Sequence, residues 1–173
     1  MKKTFNLFII LLFSLMLSQP TSGTVKDKGL IKLQTWLKGL KKNYTIQELK
    51  KLKKLDLSSK QLKSLPPEIG NLKALTSLSL YKNQLKTLPK ELGNLKALTR
   101  LDLDNNQLKS VPKELGNLKA LTYLYLSNNQ LKTLPKELGN LKALKKLYLK
   151  GNPLSDKEKA KIKKLLPKCK ISF

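Results

Sequence analysis

The sequence predicts an α/β solenoid: a short stack of repeated units, curved like a horseshoe, with parallel strands on its concave face and a helical cap at each end. Three observations predict this fold. A leucine pattern recurs every 23 residues between Leu52 and Leu144 without an insertion. Within each unit, leucines alternate with other residues over a stretch that is the length of one short strand. Apolar residues at helical spacing stand on both sides of the repeats.

The repeated unit explains why stacking is needed. Each unit opens with L-x-x-L-x-L-x-x-N-x-L, as in Leu75, Leu78, Leu80, Asn83 and Leu85. The strand leucines point to one side, and one unit cannot bury them alone, so neighbouring units must form a continuous core. The Asn amide is expected to satisfy backbone groups where the chain turns away from the strand. Four full units and a partial one, with five strands in all, occupy residues 52–154.

The second part of the unit, L-P-x-E-[I/L]-G-N-L, carries the turn back to the next strand. Its proline sets φ where the turn begins, because the pyrrolidine ring restricts that angle. Its glycine is expected to adopt the left-handed conformation that ends the turn. A full unit of this pattern therefore contains a strand, a buried Asn and a turn, which is enough for one rung of a solenoid. The first unit has Lys60 in place of the Asn, which is consistent with an edge repeat.

Both ends of such a stack would expose leucines, so both ends need covers. After the repeats, Ser155 and Glu158 stand at the spacing of a capping box and open a predicted helix, and residues 155–173 form the C-terminal cap helix and tail. Before the repeats, residues 24–51 are predicted to form an N-terminal cap. Thr45 and Glu48 provide a second capping-box match within it.

Residues 1–23 have the layout of a secretory signal peptide. Two lysines follow Met1, a mostly apolar stretch follows them, and small and helix-breaking residues come next. The alternative is an uncleaved anchor, but a helix over the apolar stretch covers only about 20 Å of the roughly 30 Å hydrocarbon core. The sequence thus predicts an exported protein that is periplasmic, displayed on the cell surface or extracellular, with no membrane span after cleavage.

Composition argues against catalysis and against metal or cofactor chemistry. The chain has 36 Lys and Arg against 11 Asp and Glu, no His, and a single cysteine. Without His there is no His-dependent catalytic triad and no His metal site. Asp102 and Asp104 could work as a carboxylate pair, but an ion pair between Asp104 and nearby Arg100 is the simpler expectation. Cys169 has no partner within the chain, so it is expected to be buried in the cap or to pair between chains.

The inner strand face is the predicted binding site for a protein or glycan. Four of the five tyrosines, the only arginine and three of the five aspartates fall between the leucines of the strands. Tyr and Arg dominate interaction hot spots, although Tyr also simply suits a strand. The candidate residues are Tyr81, Arg100, Asp102, Asp104, Tyr123, Tyr125 and Tyr148.

The formal charge of +25 suggests an alternative function. Lysines recur at fixed positions outside the strands and predict weak binding of anionic polymers such as glycosaminoglycans, as in a structural or envelope-associated protein. The competing interpretation is an ordinary solvated, Lys-rich outer face. Nucleic acid is not expected, because the chain has no reader helix and is predicted to be exported. The candidate lysines are Lys86, Lys109, Lys132, Lys96, Lys119 and Lys142.

These motifs resemble a known family. The L-P-x-E-[I/L]-G-N-L units resemble the 23-residue leucine-rich repeats of Ras-suppressor-type proteins. The signal peptide, the Lys-rich repeats and the terminal L-L-P-K-C-K-I-S-F are similar to the secreted leucine-rich-repeat proteins of leptospiral spirochaetes. The resemblance covers roughly residues 45–173. It implies a right-handed solenoid and a non-enzymatic binding role toward partners such as host surface or matrix molecules.

Overall fold

The computed structural model of the chain describes residues 27–173. The predicted signal peptide, residues 1–23, lies outside the described residues. Helices α1 and α2 come first, at Lys28–Gly39 and Ile46–Lys51, and α3 (Asp156–Leu165) lies near the C-terminus. The strands are β1 (Lys54–Asp56), β2 (Ser77–Ser79), β3 (Arg100–Asp102), β4 (Tyr123–Tyr125), β5 (Lys146–Tyr148) and β6 (Lys170–Ser172). Within residues 27–173, no helix is long and apolar enough to cross a membrane.

The strands form one parallel sheet in the order in which they occur along the chain. Corresponding residues of successive repeats pair directly, for example Leu55 with Leu78 and Leu78 with Leu101. The central leucine of each of β1 to β5 is buried, and it joins the leucines of the turns in a continuous core. The predicted solenoid with helical caps is therefore confirmed.

The sheet has six strands, so the expectation of five is wrong. Strand β6 comes from the tail after α3, which returns to the sheet and extends it beyond β5. The Leu149 N–H donates to the Ser172 carbonyl at 2.7 Å, and the Lys170 N–H donates to the Lys145 carbonyl at 2.9 Å. Three residues of alternating character are too short a signal to predict a strand, and here the exposed edge of β5 provides the hydrogen bonds.

The buried asparagines form a ladder that joins each repeat to the one before it. The Asn106 Oδ1 accepts from the Leu85 N–H at 3.1 Å, while its Nδ2 donates to the Leu80 and Leu103 carbonyls at 3.0 Å. The predicted role of the Asn amide is thus confirmed. Because each Asn serves the loop of the preceding repeat, the first repeat has no loop to serve, and it carries Lys60 at this position. Equivalent contacts are made by Asn83, Asn129 and Asn152.

Short 3₁₀ helices stack on the outer side of the sheet. Each follows a proline whose φ lies near its preferred value, as at Pro89 with −69°, so the predicted role of proline is confirmed. The glycine prediction is wrong, because none of these glycines has a positive φ. A Cβ on Gly93 would lie 2.4 Å from the Glu114 carbonyl oxygen of the next repeat, so close approach requires the glycine. The helices are Pro67–Asn71, Lys90–Asn94, Lys113–Asn117 and Lys136–Asn140.

The left-handed backbone conformation occurs one residue before the asparagine position. The residues with positive φ there are Ser59, Lys82, Asn105, Asn128 and Gly151. Asn and Gly tolerate this region, whereas a residue such as Ser is held there at a cost because its Cβ crowds the following carbonyl. The first repeats therefore carry a local strain that the later repeats avoid.

Replacing Ser59 by Gly is expected to stabilise the chain. Ser59 has φ of 55° and is exposed, so glycine relieves the strain without removing a buried contact. We expect the free energy of unfolding to rise by about 0.5–1 kcal/mol, measured by urea denaturation. The control is Ser64→Gly at an exposed position without positive φ, which is expected to destabilise the chain. Equal effects of the two substitutions would contradict the prediction.

The caps use their capping residues differently. At α2 the predicted box is complete: the Thr45 Oγ1 accepts from the Glu48 N–H, and the Glu48 carboxylate accepts from the Thr45 N–H at 2.7 Å. At α3 only half of the predicted box forms, since the Ser155 Oγ accepts from the Glu158 N–H. The buried Glu158 carboxylate instead accepts from the Leu134 N–H at 3.1 Å. That contact ties the C-terminal helix to the last full repeat.

Candidate functional site

The inner face consists of three rows of side chains that cross the strands. The first row contains Lys54, Ser77, Arg100, Tyr123, Lys146 and Lys170. The second row contains Asp56, Ser79, Asp102, Tyr125, Tyr148 and Ser172. The third row, just after the strands, contains Ser58, Tyr81, Asp104, Ser127 and Lys150. All seven residues predicted for partner binding belong to these rows.

Arg100 organises the centre of this face. Its guanidinium lies over the Tyr125 ring, 4.1 Å from the centroid, and its Nη1 donates to the Tyr125 hydroxyl. On the other side of Tyr125, the Tyr148 ring is stacked at 4.7 Å between centroids and 6° between planes. These contacts place one cation and two aromatic rings in a continuous line across β3, β4 and β5. We call Arg100, Tyr125 and Tyr148 the central cluster.

The two aspartates beside the cluster have different partners. Arg100 pairs with Asp102, with 3.8 Å from Nη2 to Oδ2, so the expectation of a pair with Asp104 is wrong. The Asp104 carboxylate instead accepts from the Ser127 N–H at 2.5 Å, in the next repeat. Burial raises the pKa of both carboxyl groups, although backbone N–H donors and Arg100 act in the opposite direction. A partner that supplies a cation here would compensate for that lost hydration.

The remaining predicted tyrosines stand outside the central cluster. Tyr123 is half-buried and lies between Arg100 and Lys146 in the first row. Tyr81 lies in the third row, and its ring faces Lys82, whose Nζ is 5.3 Å from the centroid. The predicted residues therefore share one face, but only part of them form a contiguous group.

The sixth strand adds two residues that the sequence did not reveal as part of the site. Lys170 continues the first row after Lys146, and Ser172 continues the second row after Tyr148. The available signal was the alternation in Lys-Ile-Ser-Phe, which repeats the order of charged and apolar residues in β5. No repeat motif surrounds it, so the pairing of this segment with β5 depends on the path of α3.

The lysines predicted to bind anionic polymers separate into two kinds. The Nζ groups of Lys96 and Lys119 donate to the Gly93 and Gly116 carbonyls at 2.8 and 3.0 Å. They thus satisfy carbonyls at the ends of the 3₁₀ helices. Lys86, Lys109, Lys132 and Lys142 are exposed, and none of their side chains makes a hydrogen bond or ion pair within residues 27–173.

The described residues offer little for metal or thiol chemistry. No group of three or more His, Cys, Asp or Glu side chains in residues 27–173 is arranged to hold a metal ion. Cys169 is half-buried against the C-terminal cap, and burial raises the pKa of its thiol, which disfavours the reactive thiolate.

Comparison with solved structures finds similar chains in bacteria and plants. A leucine-rich-repeat protein of Leptospira interrogans is 45% identical with a TM-score of 0.59, and the match covers 75% of this chain and 40% of that one. The matched part of the chain thus spans only 40% of the length of that protein. A search among curated proteins returns no match to the sequence.

Two matching structures come from Arabidopsis thaliana. One is the ectodomain of the receptor kinase GASSHO1/SCHENGEN3 in complex with CASPARIAN STRIP INTEGRITY FACTOR 2, at 36% identity and a TM-score of 0.55, covering 59% of this chain and 13% of that chain. The other is the BIR3–SERK2 complex, at 37% identity and a TM-score of 0.53, covering 58% of this chain and 56% of that chain.

The family comparison covers most of the described residues. The family described as leucine-rich repeat region matches residues 32–170, from the first helix to the last strand. This range includes every repeat and every residue of the three inner-face rows except Ser172. The chain belongs to the leucine-rich-repeat family.

Proposed function

We propose that this chain is an exported, non-enzymatic interaction module, an adhesin in the broad sense, that binds a partner protein through its inner face. The observation that carries this proposal is the central cluster, in which Arg100, Tyr125 and Tyr148 hold one another in place. Export is proposed from the signal-peptide pattern of residues 1–23. Host surface or matrix proteins are the proposed partners, in line with the resemblance to secreted leptospiral proteins.

Preorganisation is the physical reason for choosing this cluster. Binding that immobilises a flexible side chain costs about 0.5–1.5 kcal/mol of binding free energy for each such side chain, because conformational entropy is lost. The Arg100 side chain is already fixed by its contacts with Tyr125 and Asp102, so much of that cost is absent. Large tyrosine rings with polar ends also supply contact area and hydrogen bonds together.

The neighbours support a protein partner over a glycan. The plant ectodomain and the plant complex are both described in association with other polypeptides. The outer lysines support an anionic polymer less well, because Lys96 and Lys119 already bind backbone carbonyls. Lysine also lacks the forked geometry with which arginine recognises sulfate or phosphate.

Replacing Tyr123 and Tyr125 together by Ala is expected to abolish partner binding. The change removes the ring between Arg100 and Tyr148 and its half-buried neighbour in β4, while the buried leucines stay in place. We expect the affinity to fall by at least about 100-fold, as for truncation of a hot spot. The measurement is binding of the purified chain to arrays of matrix proteins and glycans at low and high salt.

The matched control is Lys86→Ala with Lys109→Ala, two exposed outer positions. It should leave protein binding unchanged, and circular dichroism should show that both double variants remain folded. Unchanged affinity of the tyrosine variant would overturn the proposal. Binding that is lost at modest salt, and only through the outer lysines, would favour diffuse attraction to anionic polymers instead.

A further inference from the structure

We propose that the C-terminal end of the inner face binds an acidic segment of the partner protein. The site consists of Tyr148, Ser172 and the three lysines Lys146, Lys150 and Lys170, and we call it the basic slot. The inference rests on the proposed function, since it names the chemistry that one part of the inner face recognises.

The slot has one aromatic wall. One face of the Tyr148 ring is covered by Tyr125, at 4.7 Å between the centroids, and this is the only ring contact that Tyr148 makes within residues 27–173. The residue on the other side, in register on β6, is Ser172. Ser172 is exposed and has too small a side chain to cover a phenol ring. The far face of Tyr148 is therefore open to a ligand.

The slot also carries uncompensated positive charge. Lys146 and Lys170 are neighbours in the first row, and Lys150 follows β5 in the third row. All three are exposed, and none forms an ion pair within residues 27–173. The rows contain no acidic side chain on β4, β5 or β6. Neighbouring lysines without counterions favour an anionic group between them.

The opposite end of the inner face, which we call the acidic end, carries three carboxylates against the two cations Lys54 and Arg100, and these carboxylates determine which anion fits. Asp56, Asp102 and Asp104 stand on the side of β1 to β3, and Arg100 pairs with only one of them. Hydrogen bonds from Ser58 hold the pKa of Asp56 below its usual range, so this carboxylate is charged at neutral pH. A uniformly anionic polymer laid across the strands would meet these carboxylates. A peptide with separated acidic and basic residues would instead place its basic residues over these carboxylates.

Sheet geometry gives the spacing of those charges. Strands β3 and β6 are three steps apart in the sheet, which is about 14 Å at the usual strand separation. An extended peptide advances about 3.3 Å per residue, so about four to five residues span this distance. The preferred segment carries Asp or Glu over the basic slot and Lys or Arg about four to five positions away, over the acidic end.

The test is selection of a random-peptide library on the full chain at physiological salt. Selected peptides should be enriched in an acidic and a basic residue at this spacing. Their affinity should fall at least about tenfold for the triple variant Lys146→Glu, Lys150→Glu, Lys170→Glu. A neutral triple variant with Gln at the same positions should show a smaller loss, and circular dichroism should show that both remain folded.

The control reverses the same number of charges on the outer face, through Lys86→Glu, Lys109→Glu and Lys132→Glu. It should change affinity by less than about twofold. Equal losses in both charge-reversal variants would overturn the basic slot in favour of diffuse net charge. The basic slot would also be overturned if peptide affinity did not change in the slot-lysine variants but was lost in the double variant Tyr123→Ala, Tyr125→Ala. That outcome would leave the proposed function standing. Peptide affinity that is unchanged in the tyrosine variant as well would overturn both the basic slot and the proposed function. Binding of heparin fragments through the slot lysines, without acidic peptides among the selected ones, would assign the slot to a sulfated glycan.

Discussion

Replacing Asn106 by Ala is expected to lower the free energy of unfolding by about 2–4 kcal/mol, because a buried N–H and two carbonyls lose their partner together. Asn106 is 8% exposed, and its amide bonds to Leu85, Leu80 and Leu103 in two adjacent repeats. Urea denaturation followed by circular dichroism measures the loss, and hydrogen exchange at the Leu85 amide locates it.

Asn117 provides the matched control for this prediction. It is exposed on the outer side, and its side chain makes no hydrogen bond within residues 27–173. Asn117→Ala should therefore change stability by no more than about 0.5 kcal/mol. If Asn106→Ala costs less than about 1 kcal/mol, or leaves the Leu85 amide protected, the asparagine ladder does not join the repeats as we describe.

The second large effect is expected at Gly116. A Cβ there would lie 2.2 Å from the carbonyl oxygen and 2.7 Å from the carbonyl carbon of Glu137, both backbone atoms of the next repeat. Those atoms cannot move aside unless the stack separates. Gly116→Ala should therefore destabilise the chain by about 1–3 kcal/mol, the usual cost of overpacking, measured as the shift of the thermal or urea transition.

Gly39 provides the matched control for Gly116→Ala. It ends helix α1, and a Cβ there would meet nothing within 4 Å. Gly39→Ala should stabilise the chain by about 0.5–1 kcal/mol, since Ala favours helix and restricts the unfolded chain. Equal shifts for the two variants would mean that the repeats tolerate a side chain at their closest approach, contrary to the packing described above.

The inner-face residues show which features of the candidate site can be predicted from the sequence. Strand alternation was sufficient to assign Tyr81, Arg100, Tyr123, Tyr125 and Tyr148 to one face, because side chains in a strand alternate strictly. It could not tell that Arg100 contacts Tyr125 and Asp102 rather than Asp104. Those contacts join different strands or depend on rotamers, and neither is encoded in the spacing of a single repeat.

The sequence by itself determined the solenoid, its period, the parallel direction of its strands, the identity of the buried leucines and the role of the asparagines. Each of these follows from local patterns that recur in every unit, and stacking is the one way to bury them. Tertiary structure alone decided what happens where units meet or end. The glycines of the 3₁₀ helices are required by the backbone of the next repeat, and β6 exists because α3 returns the tail to the free edge of β5. Such features depend on distances between segments that are remote in the chain, so no periodicity within one unit could reveal them.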